Sequence, residues 1–248
     1  MKTWLSLLSA IALLASANSF ATPIVVNVAT EHLQGYTNHD GSGFYYDVLN
    51  RIFPAPIWQL NVQVLPFSRV RYLLKHERVH MGLGFYQGDM DNILYSKKPV
   101  EIDSVDVALS PKMAQHWRGI NSLSNKKVLA LLAYRFDDFI DVPMHYEESS
   151  DLLSMLNRVN DGKVDAVLDY KPSMLRLSNQ LNRPRQFQII EAVIKAPVFF
   201  VFANNSDGVV MKAHFDQYLA VLISSGELDR MFDVYVKEND RYGNPKPP

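Results

Sequence analysis

Apolar residues fall along this chain in two rhythms. Ile24 to Ala29 is apolar at every position but Asn27 and rich in branched residues, the pattern of a buried strand. Thr30 to Ser42 is polar and contains glycine, so it reads as a loop. Phe44, Val48 and Ile52 then recur at helical spacing, with Tyr45 and Leu49 beside them, and Pro54 and Pro56 end that helix. Leu60 to Leu65 alternates like a strand. Ser68 is a candidate cap for a helix carrying Val70, Leu73 and Leu74, and Val79 to Phe85 is the next strand. The pattern to this point predicts β-α-β-α-β.

Val105 to Leu109 is a further strand, closed by Ser110-Pro111, and Val128 to Leu132 is another solid apolar run. Ser150 precedes a helical pattern of Leu152, Leu153, Leu156 and Val159 that stops at Asp161-Gly162. Val164 to Leu168, Phe187 to Ala192 and Val198 to Phe202 are predicted as strands. Phe215, Leu219 and Leu222 share one helix face. Ser224-Ser225-Gly226 breaks that helix, and Leu228, Met231, Phe232 and Tyr235 continue it. The tail from Asn244 to Pro248 is expected to be loose.

A degenerate repeat gives this alternation a meaning. Residues 77–86 read Glu-Arg-Val-His-Met-Gly-Leu-Gly-Phe-Tyr and residues 162–170 read Gly-Lys-Val-Asp-Ala-Val-Leu-Asp-Tyr. Each follows an amphipathic helix pattern and is a short apolar run ending in polar or aromatic residues. A helix, a tight turn and a buried strand therefore occur twice. Two such units predict two lobes with a cleft between them.

The N-terminus carries an address. Lys2, the apolar stretch Leu5 to Ala17 and the small residues of Ser19-Phe20-Ala21 predict a secretory signal peptide over residues 1–21 and a mature chain starting at Thr22. No later stretch is apolar for long enough to span a bilayer, so no membrane insertion is expected after signal removal. The formal charge of −1 becomes −2 when Lys2 is removed, which points to no nucleic-acid partner. The chain has no cysteine, which excludes disulfides and thiolate metal sites and suits an oxidising compartment. A soluble, monomeric periplasmic protein is expected.

Four motifs carry a family resemblance. They are Gly43-Phe44-Tyr45-Tyr46-Asp47-Val48, Tyr95-Ser96-Lys97-Lys98-Pro99, Asp161-Gly162-Lys163-Val164-Asp165-Ala166-Val167, and Ile223-Ser224-Ser225-Gly226-Glu227-Leu228 with Phe232. In this order the chain resembles family 3 of the periplasmic solute-binding proteins of ABC importers, the amino-acid-binding group, as a divergent member. The resemblance implies an α/β, two-lobed periplasmic-binding-protein-like fold of type II, with two mostly parallel sheets flanked by helices. It implies lobe 1 over residues 22–108 and 197–248 and lobe 2 over 109–196, closing on a ligand by a hinge. It also implies an ABC permease, or a membrane sensor, as partner.

The departures from the pattern bear on the ligand. In the family an arginine six residues before the Phe-Ser motif grips the ligand carboxylate, and here that position is Asp89. The family's Gly-Thr after the first strand of lobe 2 is replaced by Leu132-Ala133-Tyr134-Arg135-Phe136. The standard α-amino-acid clamp is absent as written. Arg69, after a predicted strand, and Arg135, after a lobe 2 strand, are the candidate replacements, because guanidinium pairs with a carboxylate in a bidentate way. Arg71, two residues along, is assigned to another face.

Asp169 or Tyr170 ends the repeat strand of lobe 2, where the resemblance implies an aspartate for a ligand ammonium. Glu31 and Tyr36 follow the first strand. Of Phe85 and Tyr86, alternation places only one on the cleft face, where an aromatic ring can sandwich a planar or apolar ligand portion. Glu31, His32, His39 and Asp40 match no compact metal-site spacing, so neither metal nor cofactor is expected. Three functions stay open on this fold. One is a non-catalytic binding protein delivering a small polar solute, an amino acid or a related compound, to an importer. The second is an enzyme like the periplasmic cyclohexadienyl dehydratases. The third is a ligand-sensing accessory protein.

Overall fold

A computed structural model describes residues 22–237. The predicted signal peptide, its cleavage after Ala21 and the C-terminal tail lie outside the described residues.

Strands β1 (Ile24–Thr30), β2 (Trp58–Val64) and β3 (Met81–Tyr86) form a parallel group, with β1 between the other two. Helices α1 (Phe44–Ile52) and α2 (Phe67–Lys75) connect them. A second parallel group consists of β6 (Lys127–Leu131), β7 (His145–Ser149) and β8 (Ala166–Asp169), with β6 in the middle. Helix α3 (Pro111–Gln115) precedes this group, and α4 (Leu152–Asn160) runs between β7 and β8.

Two long strands join the groups. They are β5 (Glu101–Leu109) and the sixteen-residue β9 (Gln188–Ala203), which pair antiparallel from Glu101↔Val198 to Leu109↔Gln188. The end of β9 pairs with β3 and with the short β4 (Ile93–Tyr95), while the end of β5 pairs with β8. The result, among the described residues, is one curled nine-stranded sheet ordered β2-β1-β3-β9-β5-β8-β6-β7, with β4 on β9. Helix α5 (Lys171–Ser178) follows β8, and α6 (Ser206–Ser224) and α7 (Glu227–Phe232) close the chain against the first group.

The repeat is real at the backbone. After α2, Glu77 takes a left-handed conformation, the Glu77 N–H donates to the Leu74 carbonyl, and the Arg78 N–H donates to the Leu73 carbonyl. After α4, Gly162 takes the same conformation, its N–H donates to Val159, and the Lys163 N–H donates to Arg158. Both helices end in a Schellman-type cap that turns the chain into a buried strand.

Helix α1 buries Phe44, Tyr45, Val48, Leu49 and Ile52, and α6 buries Met211, Phe215, Leu219 and Leu222, as their spacing predicts. Gly43 starts α1 at φ 130°, and a Cβ there would sit 2.4 Å from the Tyr36 carbonyl oxygen. This close approach seats the Tyr36 loop on the helix.

Three local expectations are corrected. Ser68 does not cap α2: the helix begins at Phe67 after Pro66, and no side chain caps it. Asp151 caps α4, accepting the Ser154 N–H at 3.0 Å. The strands expected at Phe187–Ala192 and Val198–Phe202 are one strand, β9. It is interrupted by a bulge, because Val105 faces Ile194 while Val107 faces Ile190. Ala192 lies at φ 56° in that bulge, and Asp106 holds it by accepting the Ala192 N–H at 2.8 Å. Strand β5 starts at Glu101 rather than Val105, which brings two carboxylates into the sheet.

Candidate functional site

A cavity of about 1350 Å³ lies between the two strand groups. Its lining comes from the loops after β1 and β3, the first half of β5, the turn after β6, and helix α5. These are the carboxyl ends of parallel strands, where α/β sheets hold ligands.

Four of the expected residues line it: Glu31, Tyr36, Tyr86 and Tyr170. Asp169 lies directly before Tyr170, buried to 1 % exposure and outside the lining. Phe85 is fully buried and packs on Phe67 with centroids 4.9 Å apart, so Tyr86 is the cleft member of that pair.

The two expected arginine clamps do not reach the cavity. Arg69 is exposed, its guanidinium 4.7 Å above the Tyr72 ring. Arg135 sits in a left-handed turn and pairs with Asp138 at 2.5 Å in solvent. Their neighbours point inward instead. Arg71 donates to the Asp89 carbonyl at 2.7 Å, and Tyr134 lines the cavity.

The site is built on carboxylates held by tyrosines. Glu101 and Asp103 alternate on β5, so both side chains lie on its half-buried face at the cavity, while Ile102, on the other face at the cavity's edge, is exposed. Tyr45 from α1 donates a short hydrogen bond to Glu101, and Tyr36 adds a second. Asp103 accepts a short hydrogen bond from Tyr86 and one of 2.8 Å from Tyr170. Tyr134 donates to Glu31 at 2.8 Å. The last bond bridges the strand groups, since Glu31 follows β1 and Tyr134 follows β6. The Asp103 cluster bridges them too, since Tyr86 ends β3 and Tyr170 follows β8.

Burial sets the electrostatics. It pushes the Glu31 carboxyl up to about 8, against the Tyr134 hydrogen bond and with help from the charge of Asp169. Asp169 is pushed up to about 7, again chiefly by burial. Glu101 and Asp103 are both raised by burial, and Asp103 raises Glu101 further. Among the described residues, no basic side chain forms a salt bridge with any of these four.

Sequence reasoning missed Glu101, Asp103 and Tyr134. The sequence signal for the first two is weak, because Glu101-Ile102-Asp103-Ser104 is polar at three of its four positions. His32 and His39 stack with centroids 3.9 Å apart, and no group of three or more metal-ligating side chains forms among the described residues. No helix among them is long and apolar enough to cross a membrane.

No protein-family model matches the sequence, and no curated protein matches it. Solved structures do match. The ligand-binding core of GluR0 in complex with L-glutamate superposes with a TM-score of 0.68 at 14 % identity, over 87 % of this chain and all of that one. An ancestral arginine-binding protein bound to arginine gives 0.66 at 14 % identity, over 87 % and 100 %. A probable amino-acid ABC transporter extracellular-binding protein, ytmK from Bacillus subtilis, gives 0.62 at 15 % identity, over 88 % and 99 %. At such identities the likeness shows the fold. It is the two-lobed α/β fold of the periplasmic binding proteins.

Proposed function

We propose that the protein is a periplasmic solute-binding protein that captures a small solute between two lobes. The observation that carries this reading is the large cavity whose walls come from both strand groups and meet through Glu31–Tyr134 and the Asp103 cluster. In this reading, described residues 22–108 and 197–237 form lobe 1 and residues 109–196 form lobe 2, with β5 and β9 as the hinge strands. Solute contacting both lobes favours the closed state. Delivery to an ABC permease is the role the four sequence motifs support, and the signal peptide supports a soluble periplasmic location.

The test is native mass spectrometry of the mature protein as purified, followed by small-angle scattering with and without the solute found. A bound solute and a smaller radius of gyration on binding are the expected results. Identical scattering curves at saturation overturn the two-lobe clamp.

One observation favours a second reading, an enzyme on this fold. A carboxyl such as Glu31, kept protonated near neutral pH, suits general acid–base elimination. Loss of prephenate absorbance on incubation with the protein separates that reading from simple binding.

A further inference from the structure

The cavity's charges divide into those already used and those left open. Asp89 faces Arg71, Glu191 pairs with Lys171 at 2.6 Å, and Asp106 accepts two backbone N–H groups, from Lys171 and Ala192. Glu31, Glu101 and Asp103 receive only hydroxyl and backbone donors. A carboxylate has about four acceptor positions, so hydroxyl donors leave room for further N–H groups. Asp169, beside Glu31, keeps one oxygen without any hydrogen-bond partner at 1 % exposure.

Among the described residues, the basic side chains that line the cavity all come from α5 and the segment after it, and none forms a salt bridge with Glu31, Glu101 or Asp103. Of these three basic lining residues, Lys171 is already paired with Glu191, and Arg176 and Arg185 are exposed. Aromatic rings lie between the open carboxylates. The Tyr134 and Tyr170 rings have centroids 6.3 Å apart, and the Tyr86 and Tyr170 hydroxyls are 3.4 Å apart. Such rings pack against a methylene chain and against ammonium groups.

We infer that this cleft takes an aliphatic diamine or polyamine, one ammonium at the Glu101–Asp103 pair and another at Glu31. The inference rests on the solute-binding reading and names its ligand class. An ammonium brings three N–H donors and one positive charge to carboxylates that have hydroxyl donors but no counter-charge, which offsets their desolvation. An α-amino acid supplies an ammonium too, but its carboxylate meets acidic walls.

The experiment is calorimetry on the mature protein at pH 8 with putrescine and spermidine, against L-arginine, L-glutamate and succinate. At least one amine is expected to bind ten or more times tighter than arginine, with no saturable heat from glutamate or succinate. Asp103→Asn and Glu101→Gln are expected to weaken amine binding at least roughly thirtyfold. Both variants should leave the melting temperature of the unliganded protein unchanged or higher, because each removes a repelling buried charge. Tighter binding of any of the three carboxylate-bearing probes, or folded variants that bind amine like the parent, overturns the inference. Silence from both amines also overturns it. A neutral or anionic solute retained in native mass spectra would then leave the solute-binding reading standing, whereas no solute in either assay removes both.

Discussion

Two acidic positions face the same cleft and are treated in opposite ways. Asp89, after β3, is locked into its turn. Its Oδ2 accepts the Tyr86 N–H at 2.9 Å, and the Arg71 guanidinium lies 4.0 Å from its Oδ1 and bonds its carbonyl. Glu101 and Asp103, on β5, have no cation at all among the described residues and are steadied by tyrosine hydroxyls. A carboxylate that only shapes the backbone gains from a built-in counter-charge. A carboxylate waiting for a cation must do without one, and neutral donors let it wait without closing its remaining acceptor positions.

The sharpest way to break this contrast is Arg71→Ala. The substitution removes the larger of the two positive charges that act on the Asp89 carboxylate, buried to 3 % exposure, and leaves it the weaker influence of Arg135, itself offset by Asp138. Removing one partner of a buried pair costs about 3 kcal/mol. Denaturant unfolding at pH 8 should show a loss of that order, with the slope against denaturant unchanged. The loss should shrink at pH 5, because Asp89, already raised to about 6, then protonates. A loss that stays the same at both pH values would show that Arg71 acts through packing alone.

The pH dependence of the parent protein is the next largest effect. Glu31 faces the Tyr134 hydroxyl and the Asp169 carboxyl. Asp169 faces the Tyr170 N–H, Asp106 and the more distant charge of Arg176. Their folded values of about 8 and about 7 lie above the ordinary carboxylate range, so the folded state holds protons that the unfolded chain releases. The stabilisation is complete at pH near 4 and is lost as pH rises through 7 and 8. Each tenfold difference in proton affinity between the folded and unfolded states is worth about 1.36 kcal/mol. With allowance for partial relaxation of the buried groups, the unliganded protein should lose on the order of 2 kcal/mol between about pH 5 and pH 9. Melting curves across that range measure it, and a flat profile would show that the cleft carboxylates are hydrated. A bound diamine should flatten the profile, since it binds the ionised forms and the folded state then holds no extra protons.

Much of this fold was legible in the sequence, and the reason is where each side chain goes. Helices α1, α4 and α6 face one core each, so their apolar residues recur at helical spacing. Strands β1, β3, β6 and β8 are buried on both faces and read as apolar runs. The first half of β5 and all of β7 follow neither pattern. Glu101-Ile102-Asp103-Ser104 faces the cavity on one side and solvent on the other, with Ile102 at 58 % exposure, so it reads as polar chain until its pairing with β9 is seen. His145 to Ser149 lies at the sheet edge with no apolar demand. The site was legible where it coincides with strand ends, at Glu31, Tyr86 and Tyr170, and in the loop after β1, at Tyr36. The residues inside β5 stayed hidden for the same reason as the strand. After β6 the backbone turns left-handed at Ala133 and Arg135, which directs Tyr134 inward and Arg135 outward, and no periodicity in the sequence announces that.

Tyr134→Phe sharpens the contrast with a smaller effect. It deletes the donor on Glu31 and keeps the ring. A lost hydrogen bond to a buried group costs about 1 kcal/mol. The Glu31 titration should move up, because that hydrogen bond lowers it, and carboxyl-carbon NMR of labelled protein reads the change directly. An unmoved titration would mean that burial alone governs Glu31.

The smallest effect is expected at Arg69, two residues from Arg71 on the same helix. Both are arginines of α2, yet only Arg71 points at a carboxylate. Arg69 lies over the Tyr72 ring, itself 48 % exposed, and a cation–π contact in solvent contributes about 0.5 kcal/mol. Arg69→Ala should therefore change stability by no more than about 0.5 kcal/mol and leave solute affinity untouched. Arg71→Ala serves as the positive control in the same unfolding assay, and solute affinity is followed by calorimetry. If Arg69→Ala weakens binding tenfold or more, α2 moves enough on closure to bring that guanidinium into the cleft. The acidic wall would then have a cation of its own, and the contrast between Asp89 and the Glu101–Asp103 pair would no longer separate structure from recognition.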